Sequence, residues 1–269
     1  MSIHKGVEKV TGQMRRPISS LMSKSDIPNR PVLEHNLTAS AGRNRSVNIE
    51  KVQTFLRDLE RNNEKAWFDA HKKDYQSLIV TPLLDMVEAM QDDLAALNPA
   101  LKAVPKINGS LRRIYRDTRF SKDKTPYNVH IHLVFWAGDH PTKSPGTHIA
   151  LHQDGYGYGA GFWALDKDQL ARMRAQIVSD DGAKIADAVA AAAKHNVPLN
   201  APTLKRVPRG FDAEAPYAEW LKLKGLVVRN ERKPYDEAIF NDEKKLRAHL
   251  VEICKQMEPV NHYLMEQVF

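Results

Sequence analysis

The chain has 269 residues, 42% of them hydrophobic, and 40 Lys and Arg stand against 33 Asp and Glu for a formal charge of +7. No run reaches the roughly 18–20 uninterrupted apolar residues that a membrane span needs, and no apolar stretch follows Lys5 and Lys9 as it would in a secretion signal. Cys254 is the only cysteine, so no internal disulfide can form; membrane and secreted classes are set aside and a soluble, cytoplasmic protein is expected.

Residues 1–46 hold eight Lys and Arg against Glu8, Asp26 and Glu34, a net of +5, while the remainder is near balance at 32 basic against 30 acidic residues. The folded part therefore has no general footprint for a polyanion, and any such binding must come from local clustering. The same 46 residues are rich in Ser, Asn, Pro and Arg and lack apolar periodicity, so burial cannot offset the entropy of ordering them. They read as a disordered basic tail ahead of a single domain over 47–269. Their Arg-bearing start has some character of an organelle-import signal, but Glu8 and the weak amphipathic pattern favour a plain extension.

From Val47 onward the pattern is helical. Ile49, Val52, Phe55, Leu56 and Leu59 fall on one face, with Ser46 or Asn48 as the cap. Asn62-Asn63 interrupts, and a second helical stripe runs through Trp67, Phe68, His71, Tyr75, Leu78 and Ile79, continuing at Leu83, Leu84, Val87, Met90 and Leu94, with Pro82 suited to a first helical turn. The middle third switches to period two. Val129, Ile131, Leu133 and Phe135 alternate with His130, His132 and Val134, and strands are expected over 147–153, 156–165 and 226–229. Helical spacing returns at Leu170, Met173 and Ile177, at Ile185 and Val189, and in a closing helix through Leu246, Leu250, Ile253 and Met257. Helices, then strands, then helices describe an α+β fold: a central antiparallel sheet flanked by helices from both ends of the chain.

Residues 111–124 concentrate charge, with six basic residues against two acidic ones. As a helix they would stack Arg112, Arg116 and Arg119; as an extended run they would set Arg113, Asp117 and Arg119 on one face with Tyr115. Either way, forked guanidinium donors suited to phosphate or carboxylate come together. The alternative is that Asp117, Asp123 and more distant acids absorb these arginines in ion pairs that brace the loops. The run from Arg116 to Tyr127, Arg-Asp-Thr-Arg-Phe-Ser-Lys-Asp-Lys-Thr-Pro-Tyr, resembles the hallmark segment of the domain of unknown function 2461 family. Supporting matches are Phe55-Leu56, Asn62-Asn63, Trp67-Phe68, Gly159-Ala160-Gly161, Leu204-Lys205 and Pro208-Arg209-Gly210-Phe211-Asp212, which together span about 49–265. The resemblance implies a single α+β domain and brings with it no activity, cofactor or catalytic residue. Ala215, ahead of Pro216, departs from the His expected there.

Three further constellations stand out. His130, His132, His140, His148 and His152 lie within a short stretch, and on strands His130 with His132, and His148 with His152, would share a face, so with Asp139 or Asp154 they form a candidate transition-metal site of weak pattern. Residues 155–161 place Gly at every second position, which is not the dinucleotide-binding spacing; one strand face is left bare for close packing or for a ligand. There is no P-loop sequence, Cys254 sits on the apolar stripe of the closing helix, Glu231-x-Lys233 lacks a partner aspartate for a nuclease, and Trp67, Trp136 and Trp163 read as core or rim anchors.

The leading expectation is a binding module for an anionic, phosphate-bearing small molecule or a nucleic acid, using Arg112, Arg113, Arg116, Arg119, Lys122, Lys124 and Tyr127. Its competitors are a hydrolase with Asp117 or Asp123 as general base, and a salt-bridged brace with no ligand.

Overall fold

The structure is a computed structural model that describes residues 46–269. The expected tail over 1–46 therefore lies, Ser46 apart, outside the described residues. Helix α1 (Ile49–Arg61) begins where Asn48 accepts from the Lys51 amide, so Asn48 and not Ser46 is the cap, and its buried face is Ile49, Val52, Phe55, Leu56 and Leu59. The second stripe is not one helix but α2 (Lys65–Tyr75), a π-helical turn (Gln76–Val80), α3 (Thr81–Ala89) and α4 (Gln91–Leu97). Pro82 explains the break. It has no N–H to donate and its ring crowds the carbonyl four residues back, and the turn loosens one residue earlier, where the Thr81 amide reaches Gln76.

Five strands follow one another across a single antiparallel sheet in the order β1 (Leu101–Lys102), β2 (Ile131–Ala137), β3 (Gly146–His152), β4 (Gly155–Phe162) and β5 (Leu226–Arg229). The α+β reading holds, with helices before and after the strands in the chain. β4 stops three residues short of the expected end at Leu165, and the two-residue β1 was not anticipated. Helices α5 (Lys167–Ser179) and α6 (Ala183–Ala193), the single turns α7 (Ala218–Leu221) and α8 (Glu237–Phe240), and the long α9 (Glu243–Gln267) complete the described chain. Residues 198–200 run along the far side of β5, where Leu199 bridges to Val228 and the Arg229 amide donates to Pro198.

All helices of the core lie on one face of the sheet. Ile131, Leu133, Phe135, Ile149, Leu151 and Tyr158 point into the same apolar cluster as Leu250, Ile253, Met257 and Leu264 of α9. Cys254 is buried there too, as an ordinary core residue. One buried polar contact fixes α9 on the sheet: the Asn261 amide Nδ2 donates to Thr147 Oγ1 at 3.0 Å. Among the described residues no helix lines the cavity on the opposite face, and that asymmetry is what positions the site.

Candidate functional site on the open face of the sheet

Strand alternation sends every second residue of β2, β3 and β4 away from the helices. On that side the side chains include His132 and Val134 of β2, His148, Ala150 and His152 of β3, with no side chain at all at Gly157, Gly159 and Gly161 of β4. They line a cavity of about 910 Å³ whose border includes Arg112, His130, Trp163, Asn200 and residues 227–232. A cavity of this size is within the usual range for small-molecule sites. Register puts His148 opposite Gly159 and Gly159 opposite Arg229, so a histidine and an arginine flank a bare glycine in one line across three strands.

The three glycines are bare for different reasons. Gly161 has φ near +120°, and a Cβ there would meet the Leu226 carbonyl oxygen at 1.9 Å; at Gly159 it would meet the Val228 carbonyl at 2.2 Å. Those two are demanded by the close approach of β5. At Gly157 a Cβ would find only Asn230 Oδ1, at 3.7 Å. That position borders open space.

Electrostatically the cavity is positive. Arg112 donates only to the Asn108 carbonyl, at 3.4 Å, and neither it nor Arg229 has a carboxylate partner among the described residues. Arg232 is held by Asp154 at 2.5 Å. His132 Nε2 and His148 Nδ1 are 2.9 Å apart, and the rings of His130 and His152 are 5.2 Å apart. Burial is the first cause that lowers all four imidazoles. His132 is brought to about 3 with further help from His148, His130 and Arg112. Burial and Arg112 bring His148 to about 4, burial with Arg232 brings His152 to about 4, and burial with Arg232 also lowers His130. Four neutral imidazoles near unpaired guanidiniums make a pocket that favours negative charge. For the histidines, weak candidates for a metal site, no group of three or more His, Cys, Asp or Glu side chains that could hold a metal ion occurs among the described residues. Asn230 is 5% exposed; its Oδ1 accepts from the Tyr158 amide at 2.6 Å while its Nδ2 has no partner among the described residues.

The charged run at 111–124 is divided by the structure. Arg112 enters the cavity. The others belong to an excursion between two short paired segments, in which Tyr115 bridges to Tyr127, the Arg116 amide donates to Pro126 and the Asn128 amide to Ile114. The run is neither helix nor regular strand. Within it Arg119 grips Asp117 through two bonds of 2.9 and 2.7 Å, Arg116 reaches Asp123 at 2.6 Å as well as the Thr125 carbonyl, and the Lys124 ammonium donates to the Thr118 carbonyl at 2.8 Å. Asp117 is held at about 2 by Arg119; Asp123 is held at about 2 first by the Thr125 amide and hydroxyl and then by Arg116. Arg113 and Lys122 are exposed, and Tyr127 is buried. None of Arg113, Arg116, Asp117, Arg119, Lys122, Asp123, Lys124 or Tyr127 lines the sheet-face cavity, and neither does Ala215, which lies in the turn ahead of α7.

The loop is anchored by the turn between α1 and α2 and by α2 itself. The Asn63 side chain donates to the Tyr127 carbonyl at 2.9 Å and accepts from its amide at 3.0 Å, standing in for a neighbouring strand, and Phe68 stacks on Tyr127 at 4.2 Å. Arg229, Asn230, Asn200 and Arg232 were not singled out by sequence reasoning as part of a site. The usable signal was strand parity, since Val227 and Arg229 share a face on β5.

A five-stranded antiparallel sheet, helix-covered on one face and carrying a basic, histidine-rich cavity on the other, defines an α+β protein with a pocket of ligand size. The family model described as "Conserved hypothetical protein (DUF2461)" matches residues 51–263, and the chain belongs to that family. No curated protein and no solved structure matches the chain. No described helix is long and apolar enough to cross a membrane.

Proposed function

We propose that the protein binds an anionic, phosphate-bearing ligand on the open face of its sheet. The observation that carries this reading is that two guanidinium groups, Arg112 and Arg229, border one cavity from opposite sides without a carboxylate partner for either among the described residues. Guanidinium donors left without an acid, half-buried at Arg112 and exposed at Arg229, favour an anion from solution. His148, which lines the same cavity, adds an imidazole beside them. Asp117 and Asp123, the carboxylates a hydrolase at the hallmark loop would use, are engaged by Arg119, Arg116 and Thr125, which favours the brace reading for that loop. With Cys254 buried, a cytoplasmic setting is the one this reading goes with.

The test is calorimetric titration with inorganic phosphate, and with sulfate, at low ionic strength. Arg112→Gln and Arg229→Gln should each weaken binding about 10-fold, equivalent to about 1.4 kcal/mol, while Arg119→Gln leaves it unchanged. Binding that survives the Arg112/Arg229 double variant, or that is lost in Arg119→Gln alone, overturns the assignment to the sheet face.

A further inference from the structure

Resting on that reading, we infer that the ligand is a nucleoside monophosphate, free or at the end of a strand, with its phosphate between His148 and Arg229 and its base against Trp163. Three observations narrow the ligand beyond "an anion". First, the cavity of about 910 Å³ is far larger than an inorganic phosphate, which displaces only a few waters at about 30 Å³ each. Most of the space therefore belongs to the rest of the ligand.

Second, the phosphate position and an aromatic surface border one cavity. His148, Gly159 and Arg229 are in register across three strands, which sets an imidazole and a guanidinium on one line of its wall. Trp163 follows directly after β4, which ends at Phe162, and borders the same cavity, so the rest of a ligand anchored on that line has an indole to meet.

Third, Trp163 is 80% exposed at the border of this cavity, an indole on a basic rim. A flat π-face next to cationic groups is the arrangement that accepts a nucleobase by stacking, with little preference among bases. A simple sugar phosphate would use the cationic end and leave the indole idle.

The discriminating measurement compares calorimetric affinities for inorganic phosphate, ribose 5-phosphate, AMP and a 5′-phosphorylated pentanucleotide. AMP or the pentanucleotide should bind about 10-fold tighter than ribose 5-phosphate, and Trp163→Ala should erase that gap while leaving the inorganic phosphate affinity as it was. Trp163 is exposed, so the variant should fold, and unchanged inorganic phosphate binding reports that it has. Whichever of AMP and the pentanucleotide binds tighter names the source of the nucleotide. AMP and pentanucleotide no tighter than ribose 5-phosphate, or a gap that persists in Trp163→Ala, overturns the inference and leaves the anion site standing. Absence of binding by every probe sinks both readings together.

Discussion

At the scale of single residues, the glycines of β4 show how one motif serves two ends. Gly161→Ala should destabilise the fold by roughly 1–3 kcal/mol, since φ is left-handed and the new methyl meets the Leu226 carbonyl. Gly157→Ala should fall within a few tenths of a kcal/mol of the parent, because nothing closer than 3.7 Å stands in the way. Urea denaturation of the two variants checks the contrast. Gly157→Val carries the same logic into function: the branched side chain would occupy the cavity floor, so phosphate affinity should drop while the melting temperature holds.

The histidine cluster gives a pH dependence whose sign follows from its surroundings. In the fold His132, His148 and His152 titrate at about 3 to 4, below the ordinary 6.5, so on acidification the unfolded chain takes up protons first. The stability they contribute is present above about pH 6.5 and is lost as pH falls toward 4. Arg112, Arg229 and Arg232 face the cluster with positive charge, and Asp154 and Glu231 oppose them. The urea midpoint should fall between neutrality and about pH 5, the fall should be shallower in a His148→Gln/His152→Gln variant, and sulfate should reduce it. A midpoint equally steep in that double variant would place the titrating groups elsewhere.

Among elements, two polar contacts bear more weight than their number suggests. Replacing Asn63 with Ala leaves the buried Tyr127 peptide without both of its partners and should cost roughly 1–3 kcal/mol. Arg116→Ala, in the same loop but half-exposed, should lower the melting temperature by a few degrees and leave phosphate binding untouched. Thr147→Val removes the hydroxyl that Asn261 donates to inside the α9–β3 interface, with a loss again of roughly 1–3 kcal/mol from the orphaned amide.

Elements with long periodic patterns were legible before any coordinates: α1, β2, β3 and the stripe of α9 fall where their spacing puts them. What was not legible is short or non-repeating. β1 has two residues and α7 and α8 four each, too few to establish a period, and the π-helical turn depends on a steric conflict at Pro82 that a helical pattern conceals. The candidate site was legible only in pieces. Charge density along the chain pointed to residues 111–124, yet Asp117 lies two residues from Arg119, and Asp123 two from Thr125, close enough for the loop to satisfy itself. The histidines and the alternating glycines were seen singly; that they and Arg229 share one face depends on strand register.

For the whole molecule, the one-sided placement of the helices accounts for both stability and binding. The face against α9 is continuous core, and the other lines the cavity with backbone, histidines and basic side chains. Deleting a core contact and deleting a cavity side chain should therefore have separable effects, the first in denaturation and the second in titration.

Residues 198–200 matter for what the molecule avoids. By lying alongside β5 and taking up its outward amides and carbonyls, they deny that side of the sheet to a strand from another chain, and the opposite border ends in only two paired residues. A protein that leaves one broad β-surface bare for a ligand has thus sealed the flank through which such surfaces ordinarily zip together into aggregates.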